Sequence, residues 1–114
     1  MTTDTAFITA ADATLAAIGV ALDASLVDED NDADWQLIDG ILEIECADGS
    51  KLIVNRHVPN REIWVAARSG GFHFRLAAGA WRDTRSGGEL ASELARLLRE
   101  QAGLTVDLSG LPAA

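Results

Sequence analysis

The sequence predicts an α+β fold: a two-layer sandwich in which two helices pack on one face of a five- or six-stranded antiparallel sheet. Three observations predict it. An apolar stripe at helical spacing comes first, then alternating strands with turn signals between them, and finally a leucine-rich helix. Helices on one side leave the opposite face of the sheet polar. At 114 residues, the chain 1–114 is expected to form a single domain.

The first helix is predicted from about Asp4 to Leu26. Apolar residues recur there at steps of three and four, which is typical of a helix lying on a sheet. Asp12 and Asp23 are the charged residues that this helix projects. The stripe consists of Phe7, Ala11, Leu15, Ile18, Leu22 and Leu26.

The central part of the chain alternates with a period of two, as strands do. Asp39 and Gly40 predict a tight hairpin turn. The strands are Trp35–Ile38, Ile41–Cys46, Lys51–Asn55, Glu62–Ala66, Gly71–Leu76 and Trp81–Asp83. The face opposite the core is predicted to carry Glu43, Glu45, Trp64, His73 and Arg75, with Asn55 or its neighbours. A large aromatic residue on such a face is typical of a partner surface.

The second helix is predicted after a capping box formed by Ser86 and Glu89. Gly103 is expected to end it, and the apolar tail that follows is expected to pack back on the helices. The buried stripe is Leu90, Leu94, Leu97 and Leu98.

The charge balance restricts the partners. Nine Lys and Arg against eighteen Asp and Glu give a net charge of −9, which disfavours nucleic acid and anionic membranes and favours cations or a basic protein. Cys46 is the only cysteine; it is expected to be a buried hydrophobe in a reducing compartment. No signal peptide and no apolar run of about 20 residues is recognised, so a cytoplasmic protein is expected.

A strongly acidic segment follows the first helix. Hard oxygen ligands suit iron, magnesium, calcium or manganese. An EF-hand is excluded, because Ala33 stands where the loop needs glycine and Asp39 where it needs glutamate. The residues alone leave open whether the segment is a solvated loop or a functional acidic ridge. Its carboxylates are Asp28, Glu29, Asp30, Asp32 and Asp34.

Three spaced blocks in the second half of the chain resemble the frataxin family, most closely the bacterial CyaY type. They are Asn55-Arg56-His57-x-Pro59-x4-Trp64-Val65-Ala66, then Gly70-Gly71-Phe72-His73-Phe74, then Trp81-x-Asp83-x-Arg85-Ser86-Gly87, with Asp48-Gly49-Ser50-Lys51 ahead of them. The resemblance extends from Phe7 to about Val106 and implies the same sandwich fold.

The resemblance implies an iron-binding regulator of iron–sulfur cluster assembly that docks on a cysteine desulfurase and its scaffold protein and could also supply iron. It implies weak, reversible binding of Fe2+ and Fe3+ by a monomer, with iron-dependent oligomers left open. The implied metal ligands are Asp12, Asp23, Asp28, Glu29, Asp30, Asp32 and Asp34. The implied partner-binding residues are Trp64, Asn55 and Arg56, together with Asp30, Asp32 and Asp34.

The chain departs from the family pattern at several positions, among them Ile8, where related proteins carry a histidine, and Val58, where they carry a polar residue. Gly19, Val20 and Ala24 stand where related bacterial proteins carry further carboxylates on the first helix, so the acidic ridge is thinner here. His57 replaces the usual glutamine after Asn-Arg.

The sequence also bears on two other classes of function. An enzyme is not expected, because His57 and His73 lack a cysteine or serine at a suggestive spacing, and a surface row of carboxylates does not provide separate acid and base environments. The alternative is a metal-independent acidic adaptor that docks on a basic partner protein. Iron would alter the affinity for the partner protein if the chain is an iron-binding regulator, and would leave it unchanged if the chain is this adaptor.

Overall fold

The computed structural model describes residues 3–27 and 31–112. Helix α1 precedes six strands, and helix α2 follows them. The helices are α1 (Thr3–Val27) and α2 (Leu90–Leu97). The strands are β1 (Asp34–Ile38), β2 (Ile41–Glu45), β3 (Lys51–His57), β4 (Glu62–Ala67), β5 (Gly70–Ala77) and β6 (Ala80–Asp83).

The six strands form one antiparallel sheet in sequence order, β1-β2-β3-β4-β5-β6. Asp39 and Gly40, which join β1 to β2, both have positive φ angles, of 52° and 76°, as a two-residue type I′ hairpin turn requires. The fold predicted from the sequence, two helices on one face of an antiparallel sheet, is confirmed, and the number of strands is six.

The apolar stripe of α1 lies against the sheet, and its central residues are fully buried: Ala11, Leu15, Ile18 and Leu22. The opposite side of the helix is also poor in charge, and Val20 and Val27 are exposed there. By length and mean hydropathy alone, residues Asp4–Val27 could cross a membrane. A core helix passes the same test, and here the buried stripe of α1 lies against the sheet.

Gly19 allows the Trp35 ring of β1 to pack directly on α1. A Cβ atom at position 19 would lie 2.7 Å from Trp35 Cη2, closer than van der Waals contact permits. The indole Nε1 of Trp35 also donates a hydrogen bond of 2.8 Å to Asp23 on the same helix. The glycine that weakens the helix on propensity grounds thus lets the edge strand reach it.

The start of α2 differs from the predicted capping box. Glu89 is the N-cap residue, with an extended backbone, and the helix begins at Leu90 without a side-chain cap. Ser86 lies in the turn before it, where its hydroxyl accepts a hydrogen bond from the Gly88 N–H at 3.2 Å. Glu89 also forms a β-bridge with Arg82. This bridge keeps the backbone extended up to Leu90, the first helical residue. Ser86 therefore lies three residues before the N-cap position and cannot cap the helix.

The C-terminal end of α2 widens into one π-helical turn, Leu98–Ala102, which ends at Gly103 with a φ angle of 68°. Gln101 in this turn contacts two hairpins. Its Nε2 donates to Ser50 Oγ and to the Lys51 carbonyl oxygen, both at 3.1 Å. Its Oε1 accepts from the Arg68 N–H at 2.9 Å. One amide therefore fixes the helix end to the β2–β3 and β4–β5 turns.

The tail returns over the helices, as the sequence predicts, and buries Leu104, Val106 and Leu108. Trp81 of β6 is also buried, and its Nε1 donates to Thr14 Oγ1 of α1 at 2.9 Å. Burial of an indole with its N–H satisfied costs no hydrogen bond. Strands β1 and β6, the two edges of the sheet, are thus each joined to α1 by a tryptophan.

Replacing Gly19 by alanine tests the contact between α1 and β1. Alanine favours a helix interior by about 1 kcal/mol, but overpacking against the Trp35 ring costs about 1–3 kcal/mol, so we expect a net loss of about 1 kcal/mol in urea unfolding. In a Trp35→Leu background the ring is gone, and Gly19→Ala should instead stabilise the protein. The same sign in both backgrounds would contradict the contact.

Candidate partner-binding face and acidic segment

The outer face of the sheet, opposite the helices, carries a row of side chains that crosses five strands. Strand register places Ile38 opposite Ile41, then Ile41 opposite Asn55, Asn55 opposite Trp64, and Trp64 opposite His73. Ile38 and Ile41 are 58% and 46% exposed. The row, which we call the outer row, is therefore an aromatic centre continued by two exposed aliphatic residues.

The indole of Trp64 stands between two imidazole rings. The His57 ring lies at a centroid distance of 3.6 Å and the His73 ring at 4.2 Å, with interplanar angles of 9° and 7°. Both faces of the indole are thereby covered. A partner on this surface would meet the edges of three parallel rings rather than an open indole face.

The carboxylate of Glu62 contacts both the Trp64 indole and the side chains of β5 beside it. Its side chain points to the outer face with that of Trp64, two residues on, yet Glu62 is only 4% exposed. Trp64 Nε1 donates to Oε1 at 2.7 Å, and Arg75 Nη2 donates to Oε2 at 2.6 Å. His73 Nδ1 lies 3.8 Å from Oε1. Burial raises the pKa of Glu62, but the hydrogen bonds from Trp64 and Arg75, with the Arg75 charge, outweigh it and lower the pKa below its ordinary value.

Sequence reasoning did not select Glu62 or His57 as members of this site. The period of two places Glu62 on the same face as Trp64, which is a signal that could have found it. His57 lies diagonally from Trp64, since its register partner is Glu62, and its Nδ1 is buried without a hydrogen-bond partner among the described residues. Nothing in the sequence alone indicates that the two histidines bracket one indole.

Arg56 lies on the other side of the sheet from Asn55 and Trp64. Its Nη1 donates a 2.6 Å hydrogen bond to Asp12 of α1, and its guanidinium packs over Gly40, where a Cβ atom would lie 2.7 Å from Arg56 Cζ. The structure therefore separates Arg56 from the aromatic patch with which the sequence grouped it. It also gives Asp12 a cationic partner.

Those predicted acidic ligands that the structure describes have different local surroundings. Asp23 accepts the Trp35 indole hydrogen bond. Asp32 and Asp34 are exposed, and Asp34 faces Glu45 across the β1–β2 pair. Within residues 3–27 and 31–112, no group of three or more His, Cys, Asp or Glu side chains is arranged to hold a metal ion. Asp28, Glu29 and Asp30 lie outside the described residues.

These features define a small acidic sandwich protein with an aromatic face on the uncovered side of its sheet. The Frataxin-like domain family model matches residues 1–104. The chain therefore belongs to the frataxin-like family, as the resemblance in the sequence indicated.

Named relatives support this assignment. The iron-sulfur cluster assembly protein CyaY of Dechloromonas aromatica is 50% identical over 106 residues, covering 92% of this chain and 97% of the relative. The protein of the same name from Burkholderia mallei is 43% identical, covering 93% and 97%.

Two solved structures share the fold. Frataxin from Psychromonas ingrahamii matches with a TM-score of 0.82 and 31% identity, covering 92% of this chain and 96% of that one. Trimeric frataxin from Saccharomyces cerevisiae, complexed with ferrous iron, matches with a TM-score of 0.71 and 27% identity, covering 82% and 86%.

Glu62→Gln tests the buried carboxylate. Because the folded-state pKa of Glu62 is lowered, its ionisation stabilises the fold above the ordinary pKa of 4.5, and this contribution is lost as the pH falls through the folded-state value. At pH 7 we expect the variant to lose about 1.5–3 kcal/mol of unfolding free energy, the usual contribution of a hydrogen bond to a charged group.

The difference between Glu62→Gln and the unsubstituted protein should shrink below the ordinary pKa, as measured by urea unfolding at several pH values. Glu43→Gln, a half-buried carboxylate on the same face with its Lys51 ion pair at 3.5 Å, is the matched control. It should change stability by less than about 0.5 kcal/mol. A pH-independent difference for Glu62→Gln would contradict the assignment.

Proposed function

We propose that this protein is an iron-binding regulator of iron–sulfur cluster assembly in the cytoplasm, acting on a cysteine desulfurase and its scaffold protein. The observation that carries the proposal is the outer row with its stacked rings on the uncovered side of the sheet. The names of the CyaY relatives, whose sequences match nearly the whole chain, support the pathway.

The outer row has the composition of a protein-binding surface. A tryptophan held rigidly by its neighbours loses little side-chain entropy on binding, and aromatic residues often carry the largest share of interface energy. Ile38 and Ile41 extend the apolar area on one side of Trp64. Asn55, which lies between Ile41 and Trp64, carries an amide group suited to hydrogen bonds with a partner. We assign this row to contact with the scaffold or the desulfurase.

Iron binding is assigned to the segment that begins after α1. Asp32 and Asp34 are exposed, and their carboxylates are hard ligands suited to iron. Asp12 is paired with Arg56 and Asp23 with Trp35, so a metal ion would have to compete with these contacts. Asp28, Glu29 and Asp30 complete the proposed ligand set. Weak and reversible binding follows, as expected of a carrier or sensor rather than a resident metal site.

A metal-independent acidic adaptor is the second candidate. The net charge of −9 and the exposed carboxylates of Asp32 and Asp34 favour a basic partner whether or not iron is bound. The two functions differ in one measurable property, the effect of ferrous iron on affinity for the desulfurase.

Ile41→Thr tests the outer row with little disturbance of the strand, since both residues are β-branched and position 41 is exposed. We expect affinity for the scaffold or desulfurase to fall by roughly five- to tenfold, about 1–1.4 kcal/mol, in calorimetric titration. Val20→Thr, at an exposed position on α1, is the matched control and should bind within about twofold of the unsubstituted protein.

Trp64→Ala should weaken the same binding further, but it also removes two ring stacks and the hydrogen bond to Glu62. We therefore expect a loss of about 2 kcal/mol in stability as well. Unchanged binding by both Ile41→Thr and Trp64→Ala would remove the outer row from the interface.

The double substitution Asp32→Asn with Asp34→Asn tests the metal assignment. Anaerobic titration with ferrous iron should broaden amide NMR signals near residues 31–35 through paramagnetic relaxation, and the variant should need several-fold more iron for equal broadening. Asp39→Asn in the β1–β2 turn keeps a residue that tolerates positive φ, and should leave the titration unchanged. If the double variant leaves broadening unchanged while iron still tightens desulfurase binding, the ligands lie elsewhere.

A further inference from the structure

A cleft opens between the start of α1, the β3–β4 turn and β5, and Arg75 in its lining adjoins the outer face through Glu62. Its volume is about 560 Å³, within the usual size range of small-ligand pockets. Phe7, Pro59 and Leu76 provide apolar walls. Its lining is Ala6, Phe7, Pro59, Asn60, Arg61, Arg75 and Leu76.

Two arginines line this cleft, and none of its lining residues is acidic. This is unusual in a chain with nine basic and eighteen acidic residues. Each guanidinium is already oriented by one carboxylate outside the lining. Arg61 Nε donates to Asp4 at 3.0 Å, and Arg75 Nη2 donates to Glu62 at 2.6 Å.

A guanidinium has five N–H donors. Among the described residues, Arg61 forms one side-chain hydrogen bond, through Nε, and Arg75 forms one, through Nη2. Their side chains are 52% and 61% exposed, so the remaining donors of Arg61 and Arg75 are accessible to a ligand. Arginine pairs with carboxylates in a planar, two-point geometry. The apolar walls would accept the hydrocarbon part of the same ligand.

The backbone at Arg61 supports a role for this side chain. Arg61 has a φ angle of 52°, in the left-handed region that glycine adopts without penalty. Its N–H donates to the Val58 carbonyl oxygen at 3.0 Å and closes the turn. The turn therefore fixes the backbone of Arg61, which lines the cleft.

We propose that this cleft binds a small organic carboxylate with an apolar body, its carboxylate between Arg61 and Arg75 and its hydrocarbon against Phe7 and Leu76. The ligand class follows from the two arginines and the apolar side chains that line the cleft. The inference does not depend on iron binding, and Arg75 connects the cleft to the outer face through its ion pair with Glu62. A carboxylate presented by a partner protein has the same chemistry, and the experiment separates the two sources.

The probe is 3-phenylpropionate, titrated into the full-length protein and followed by amide NMR. We expect saturable shifts at residues 6–7, 60–61 and 75–76, with a Kd on the order of 1 mM, typical of a ligand of this size in an open cleft. 3-Phenylpropan-1-ol has the same body without the charge and should bind at least tenfold more weakly. A peptide ending in phenylalanine, with its C-terminus either free or amidated, tests whether the carboxylate comes from a protein. If the peptide with the free C-terminus binds as tightly as 3-phenylpropionate or more tightly, and the amidated peptide does not, the cleft is assigned to a partner's C-terminus and the small-molecule proposal is overturned.

Three variants separate the parts of the cleft. Arg61→Asn keeps a residue suited to positive φ and should weaken binding about tenfold, the loss expected for one charged contact. Ala6→Leu, at an exposed helical position, fills the cleft without changing its charge and should abolish the shifts. Arg82→Gln is the matched control, because Arg82 lies directly opposite Arg75 on β6 and does not line the cleft; its affinity should stay within twofold.

Unfolding curves identify any variant that has lost its fold, and the two cleft variants act by different means, so failure of one leaves the other as the test. Absence of shifts at the named residues would overturn the proposal. Equal binding of the alcohol and the acid, or unchanged binding by Ala6→Leu, would do the same.

Discussion

Coverage of the sheet on one side only is the constraint on which the rest of this structure depends. Helices bury one face of the six strands, so one set of alternate residues on each strand fills the core. Polar side chains of the other set that lose contact with water must find hydrogen-bond partners on the uncovered face. On the outer face these partners are neighbouring side chains of the same sheet. Glu62 is buried there without belonging to the core, because Trp64 and Arg75 bond it and lie over it. The same contacts fix the rings that we assign to partner binding.

The tertiary contacts of α1 also determine which carboxylates are available to a metal ion. A chain of net charge −9 gains stability by pairing its acids with the few cations and N–H donors nearby. Asp12 is paired in this way with Arg56, Asp4 with Arg61, and Asp23 with the Trp35 indole. The carboxylates after the helix, Asp32 and Asp34, remain exposed. The metal binding that we propose is therefore assigned to the segment that follows the helix.

Periodicity predicted most of the architecture because each element has one apolar side. The stripe of α1, the alternation of the strands and the leucines of α2 each indicate which residues enter the core. The structure buries most of them and leaves Leu26 and Phe72 half-buried at its margin. The predicted cap at Ser86 was wrong because a β-bridge between Arg82 and Glu89 delays the helix. Such a bridge joins residues seven positions apart in a turn, and no local pattern indicates it.

The sequence by itself determined the fold class, the family and the outer position of Trp64, since these depend on spacing along the chain. Only the tertiary structure decided how the side chains pair. Arg56 turns to Asp12 and away from Trp64, Gly19 admits the Trp35 ring, and two histidines from different strands enclose one indole. The physical reason is the same in each case: strand register and the approach of α1 set which distant groups meet, and a period of two specifies a face but not a neighbour.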